Sequence, residues 1–282
     1  MKLSRAASLA VCLVLQVADL SKELAVLDRD TDPQRLETAA IAIATSSDPA
    51  AIAVLARHFG EPSFLKRLDP PQGSTGSVIH LGRVFRKLAE HPSPATAALC
   101  IALAGNEEFT AEPSRLNFLL NALAAVHPVS EEAATIFRDT SQSDYLEVNG
   151  PLLAKNASPR ALDVLAELLA NEELSAAQRV SVAHWGLLPV RTNPAVVAMC
   201  ARLLKTRGLS HEVQIAVLES LYDYRPREWF SLRAGQPSPP SWKSSPAATR
   251  EILTSLGTSS LRRTDLPLGL RKAIQDTLRQ LH

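Results

Sequence analysis

The side chains that most often do chemistry are scattered along this chain of 282 residues. Among its seven histidines and three cysteines, no two cysteines have the CxxC spacing of a zinc site, and no histidine has a second histidine or cysteine one helical turn away. No GxSxG segment indicates a serine nucleophile, and no cysteine stands in a recognisable pair with a histidine. We therefore predict no catalytic residue, no metal site and no cofactor.

Two segments match ion-binding or phosphate-binding loops only in part. Residues 28–32 (DRDTD) begin like a calcium loop, but the twelfth position is Ala39, where such a loop needs glutamate. The glycine-containing segment 60–76 has no preceding strand and lacks the GK[ST] ending of a phosphate loop. We interpret Asp32 as a helix cap and residues 60–76 as a flexible loop between helices.

Binding chemistry is concentrated in an aromatic and proline-rich insertion, residues 225–245. Four prolines exclude a regular helix there, while aromatic rings supply rigid contact area and arginines supply charged hydrogen bonds. Two interpretations stay open: a loop that binds a protein or peptide, or a long connection whose rings pack back onto the helices. The candidate partner-binding residues are Tyr222, Tyr224, Arg227, Trp229, Phe230 and Trp242.

The elements that position these residues are indicated by six dipeptides in which a good helix cap stands directly before proline. The cap side chain accepts a free backbone N–H, and proline at the first helical position lacks an N–H that would have no partner. An Ala/Leu/Val/Ile-rich stretch about three turns long follows each one, which is typical of a helical repeat array. The six are Asp32-Pro33, Asp48-Pro49, Ser93-Pro94, Ser158-Pro159, Asn193-Pro194 and Ser245-Pro246.

The fold class predicted from this pattern is all-α. Apolar residues recur at helical spacing, and no stretch alternates as a strand would. We predict a right-handed α-solenoid of about six helical hairpins between residues 28 and 260, with a capping helix at 261–282. Cys100 and Cys200 fall at apolar positions of the pattern, so both are predicted to be core residues. The second helices of the hairpins are predicted to begin at residues 49, 94, 131, 159, 194 and 246.

One family resemblance rests on repeated segments of this kind. The clearest unit combines RVSVA at 179–183, Leu187-Leu188, NPAVV at 193–197 and Leu203-Leu204. Residues 35–55 and HEVQIAVLESL at 211–221 have a similar form. Over roughly residues 30–225 the chain resembles HEAT-like repeats of the phycobilin-lyase type. The resemblance implies a scaffold, adaptor or inhibitor and, less often, an enzyme.

The function we expect is a non-enzymatic protein–protein interaction scaffold that binds a protein or peptide on its concave face and at 225–245. The alternative implied by the resemblance is an enzyme: a DNA glycosylase-like protein using Trp185, Asp223 and Trp229, or a phycobilin-lyase-like protein. The chain has 30 Lys and Arg against 29 Asp and Glu, a net charge of +1. This balance argues against a dedicated nucleic-acid binder, which usually has a basic excess.

Residues 1–27 allow three interpretations. Lys2 and Arg5 precede the uncharged run 6–18, the pattern of a secretory signal. Leucines continue at helical spacing as far as Leu27, which favours an N-terminal capping helix instead. Residues 9–12 (LAVC) faintly resemble a bacterial lipobox. A cleaved signal predicts a secreted or periplasmic protein; without one, the absence of another hydrophobic run predicts a cytoplasmic protein with no membrane span.

Overall fold

The computed structural model describes residues 20–46, 48–70, 79–140, 146–206, 208–224 and 245–281. Every regular element among these residues is a helix, and none is a strand. The all-α prediction is therefore confirmed for them. The proposed leader and most of the aromatic insertion fall at 1–19 and 225–244, outside the described residues.

The helices are short and are numbered α1 to α16 in chain order. Helix α1 comprises the described helical residues 20–29. The others are α2 Pro33–Ala44, α3 Pro49–Phe59, α4 Pro62–Leu68, α5 Ile79–Glu90, α6 Pro94–Ala104, α7 Glu107–Thr110, α8 Pro113–Ala125, α9 Glu131–Asp139, α10 Leu146–Asn156, α11 Pro159–Ala170, α12 Ala176–Leu187, α13 Pro194–Leu203, α14 His211–Leu221, α15 Ala247–Ser260 and α16 Leu268–Leu281. A 3₁₀ turn, Leu188–Val190, follows α12 directly.

The predicted helix starts are confirmed at Asp32, Asp48, Ser93 and Asn193. In each case the cap side chain accepts a backbone N–H from the first helical turn, with proline in the next position. A capping box starts α12: Ser175 and Gln178 satisfy each other's backbone N–H groups.

Two predicted starts differ from this pattern. Ser158 precedes α11, but its Oγ accepts the N–H of Val129 at 3.2 Å instead of capping its own helix. Helix α15 begins at Ala247, one residue after the predicted start, and the Oγ of Ser245 is buried without a hydrogen-bond partner among the described residues. A buried polar atom in that state is destabilising.

The prediction of a loop at 60–76 is wrong in its first half, where α4 forms. Glu61 precedes Pro62 at the helix start but makes no cap hydrogen bond with its side chain. Phe64, Leu65 and Leu68 are all buried, so packing of one apolar face stabilises this two-turn helix without a cap.

The chain divides into two compact units, residues 1–127 and 128–282. In the first, α2, α5 and α8 pack side by side, and α3 packs on α6. In the second, one row is formed by α10, α12 and α14, and another by α9, α11, α13 and α15, with α16 against α15.

Aromatic rings form a continuous series through the core of the first unit. The ring centroids of Phe64 and Phe59 are 5.9 Å apart, those of Phe59 and Phe85 5.8 Å, and those of Phe85 and Phe109 5.9 Å. All four side chains are buried, and His58 adds its ring 4.9 Å from Phe64. Because such ring pairs contribute beyond their buried area, the series links α3, α4, α5 and α7 into one core.

The second unit depends on a close approach of α10 and α12. A Cβ at Gly186 would lie 3.1 Å from the backbone carbonyl carbon of Gly150, and a Cβ at Gly150 would lie 2.9 Å from Cγ1 of Val182. Pro151 follows Gly150 inside α10. These two helices therefore meet backbone to backbone, at a distance that side chains at these positions would prevent.

Replacing Gly150 by alanine should destabilise the second unit. The new methyl group meets a branched side chain, and a residue other than glycine is disfavoured in helical conformation before proline. We expect a loss of about 1–3 kcal/mol, measured as a lower urea midpoint with an unchanged m-value. Gly105→Ala is the control, because the nearest atom to its new Cβ would be 3.7 Å away; equal losses from both substitutions would contradict the account.

The stability of the first unit should fall with acidity because of His58. Burial lowers the pKa of this imidazole, although Asp28 and Glu61 act in the opposite direction. The unfolded state therefore binds the proton more readily, and stability present above about pH 6.5 is lost as the pH falls through the folded-state pKa.

The variant His58→Leu removes this proton uptake and should flatten the dependence of the unfolding free energy on pH between about 7.5 and 5.5. Urea titrations at several pH values in that window provide the measurement. An unchanged pH slope in the variant would show that other groups are responsible.

Candidate functional site

A groove of about 510 Å³ lies between α5 and α8 in the first unit. Its floor contains Phe118, whose ring crosses Gly82 so closely that a Cβ at residue 82 would lie 2.8 Å from Cζ. Glycine is needed at this position, and together with Ala89 it leaves the space open along α5. We call this the α5–α8 groove; it is lined by Ile79, Gly82, Arg83, Phe85, Arg86, Ala89, Phe118 and Asn121.

Two arginines one turn apart give the groove a positive edge. Arg83 donates through Nη1 to Oε2 of Glu37 at 3.2 Å. Glu37 is 8% exposed and also pairs with Nδ1 of His80, so Glu37 is itself held in place where it contacts Arg83. Arg86 is exposed and has no ion pair within 4 Å among the described residues. Its guanidinium is thus available to an incoming anion.

An exposed apolar side chain stands at one end of the same helix face. Ile79 is 54% exposed, one of two large apolar residues with such exposure in the part of the chain that the structure describes. Ile79, Arg83 and Arg86 follow i, i+4, i+7 spacing and therefore share one face of α5. Apolar contact area beside positioned polar groups is the usual composition of a binding site.

A second polar cluster is buried between α12 and α14 in the second unit. Nε2 of His184 lies 2.8 Å from Oε2 of Glu219, and both side chains are less than one-tenth exposed. The adjacent Ser220 donates its hydroxyl to the carbonyl of Ala183 at 3.1 Å. These contacts join neighbouring helices of one row, so the cluster has the geometry of a structural cross-link.

The structure assigns a packing role to Tyr222, one of the predicted binding residues. Its side chain is 1% exposed, and its hydroxyl donates to the carbonyl of Leu253 at 2.6 Å. Burial raises the pKa of this phenol. Tyr224 is half-buried and lies so close to Gly269 that a Cβ there would be 2.5 Å from its ring.

The other four predicted binding residues lie outside the described residues. They are Arg227, Trp229, Phe230 and Trp242.

The residues of the enzymatic alternative are placed in part. Trp185 is half-buried on α12, and Asp223 follows α14 with a positive φ of 53°. Oδ2 of Asp223 lies 3.5 Å from Nη2 of the buried Arg191. Trp229, the third residue of that alternative, falls outside the described residues.

The two cysteines among the described residues are core side chains. Cys100 and Cys200 are buried as predicted; burial raises the pKa of both thiols, that of Cys200 to about 12. Among the described residues, no group of three or more His, Cys, Asp or Glu side chains is arranged to hold a metal ion. No helix there has the length and apolarity needed to cross a membrane.

No protein-family model, curated protein or solved structure matches this chain. The resemblance to HEAT-like repeats therefore rests on the repeated segments themselves.

The α5–α8 groove was missed by sequence reasoning, although part of its signal is visible. Ile79, Arg83 and Arg86 mark a face of α5 with a basic and an apolar component. What the sequence does not reveal is that Phe118, on a different helix, closes the other side of that face.

Breaking the buried pair between α12 and α14 should be costly. His184→Leu leaves the carboxylate of Glu219 buried without its imidazole partner, and we expect a loss of about 3–5 kcal/mol. The double variant His184→Leu/Glu219→Leu should lose less than the sum of the two single variants, because no isolated charge remains. Urea unfolding of the four proteins measures this coupling, and simple additivity would contradict a direct interaction.

Proposed function

We propose that the chain is a non-enzymatic scaffold that binds a protein or peptide partner. The observation that supports this most directly is the α5–α8 groove. Phe118 and Ile79 provide apolar contact area there, and Arg83 and Arg86 provide charge. Arginine and aromatic residues in a concave site are the side chains that contribute most to protein recognition.

We further propose that the architecture is a right-handed α-solenoid of about six HEAT-like hairpins with terminal capping helices. The packing within each unit supports this proposal. In the second unit, α10, α12 and α14 adjoin one another in one row, and α9, α11, α13 and α15 adjoin one another in a second. Alternation of consecutive helices between two rows is the packing expected of stacked hairpins. In such an array the concave face is the usual binding surface.

The insertion at 225–245 stays a predicted second contact. Its composition favours binding, and Tyr224 immediately before it is held against Gly269. A binding loop needs a rigid element to hold its ends, and Tyr224 packed against Gly269 is such an element at the start of the insertion. Arg227, Trp229, Phe230 and Trp242 are the residues we assign to that contact; Tyr222 is better explained by packing.

The test is capture of a partner from an extract of the organism that produces the protein, followed by titration of that purified partner against three proteins. These are the unchanged chain, a variant with residues 226–243 replaced by a Gly/Ser linker, and the groove variant Ile79→Ser/Arg86→Glu. We expect a stoichiometric complex with the unchanged chain and at least tenfold weaker binding for one or both variants.

Unchanged helical circular dichroism is required of each variant before its affinity is compared. If no stoichiometric partner is recovered, the scaffold proposal is wrong. Equal affinity of the partner for all three proteins would show that neither the groove nor the segment 226–243 forms the binding surface.

A further inference from the structure

We propose that the α5–α8 groove recognises an acidic helical segment of a partner protein, with two carboxylates that pair with Arg83 and Arg86 and an apolar side chain that contacts Ile79. This inference rests on the proposed scaffold function and specifies the chemistry of its partner.

The length of the groove suits a short helical segment. The lining residues on α5 run from Ile79 to Ala89, a length of about 15 Å at about 1.5 Å per residue. A partner helix lying along α5 over that length places about ten residues, nearly three turns, beside the groove. Side chains on one face of that helix contact the residues that line the groove.

The charge of the groove selects an anion. Glu37 holds Arg83 through Nη1, and the remainder of that guanidinium can face a carboxylate of the partner. Arg86 has no ion pair within 4 Å among the described residues. The nearby Lys87 and Glu90 pair with each other at 2.6 Å, so they add little net charge. A carboxylate at Arg86 would complete a charge-assisted hydrogen bond that no described residue of the chain provides.

The spacing favours a helical partner over an extended one. Arg83 and Arg86 are one turn apart, a rise of about 4.5 Å along α5. Two glutamates at i and i+3 of a partner helix have the same rise, whereas alternate residues of an extended strand are about 6.7 Å apart. An apolar residue four positions from the nearer glutamate then reaches Ile79. The predicted pattern is LxxxExxE for a parallel helix or ExxExxxL for an antiparallel one.

The apolar component separates this site from a phosphate-binding surface. Phe118 and Ile79 line the groove beside the arginines. Stacking of a nucleic-acid base would require an aromatic ring whose face is exposed to solvent. The ring of Phe118 instead lies across Gly82. A protein segment satisfies both the apolar and the charged parts of the groove. We therefore propose a protein segment as the occupant, and binding of nucleic acid is the alternative that the experiment distinguishes.

The experiment uses fluorescein-labelled Ala/Gln-based helical peptides of 18 residues carrying LxxxExxE or ExxExxxL, titrated with the full chain by anisotropy. We expect one of them to bind at least tenfold more tightly than the same peptide with both glutamates replaced by glutamine. Arg86→Glu should weaken binding at least tenfold. Arg250→Glu, which makes the same charge change at an exposed site on α15, should not.

Two further comparisons test the apolar contact and the pairing. Ile79→Ser should weaken peptide binding, while Leu268→Ser, at a side chain that is 86% exposed, should leave it unchanged. A peptide in which lysine replaces the glutamate that contacts Arg86 should regain affinity for the Arg86→Glu protein. All four substitutions are at exposed side chains, so folding is expected to persist and is checked by circular dichroism.

Equal binding of glutamate and glutamine peptides would overturn the inference, as would equal losses from Arg86→Glu and Arg250→Glu. Displacement of the peptide by a short DNA duplex, with a steep dependence on salt, would assign the groove to phosphate instead. Failure of both peptides while a purified partner binds the chain would reject acidic recognition and leave the scaffold function standing. Peptide binding without any recoverable partner would support recognition of acidic helices by the groove and would reject the scaffold function.

Discussion

The constraint on which the structure depends is the start of each helix. The first backbone N–H groups of a helix have no partner within it, and short helices contain a large share of such groups. In this chain, proline removes one of them and a neighbouring Asp, Ser or Asn side chain accepts another, as at Asp48 and Asn193. Because these starts are fixed, the apolar face of each helix that follows such a cap has a defined position along the chain, and it packs against the neighbouring helices.

This constraint is local, which explains how much of the fold could be predicted from the sequence. The predicted starts of the second helices at 49, 94, 131, 159 and 194 coincide with the observed starts of α3, α6, α9, α11 and α13. Prediction failed where stability comes from elsewhere. Helix α4 has no capping side chain and depends on buried Phe64 and Leu68. At α11 the start was predicted correctly but not the cap, because the Oγ of Ser158 accepts the N–H of Val129 instead.

The candidate site was less predictable because its contacts join residues that are far apart in the sequence. Glu37 and His80 are separated by 43 positions, and Gly82 meets the ring of Phe118 from another helix. The predicted binding residues, from Tyr222 to Trp242, are aromatic and basic residues that lie close together in the sequence. The phenylalanines of the first unit are spaced widely in sequence and meet in space, at ring distances near 6 Å. Patterns of local composition do not contain that information.

The two buried cysteines provide a separate reporter for each unit. Cys100 belongs to the unit ending at residue 127, and Cys200 to the unit that follows. A thiol reagent reacts with such a side chain only during an opening that exposes it, so when reclosing is faster than labelling the rate at each position measures the free energy of that opening. Unequal protection of the two thiols, measured by peptide mapping of the labelled chain, would therefore show that the two units open independently.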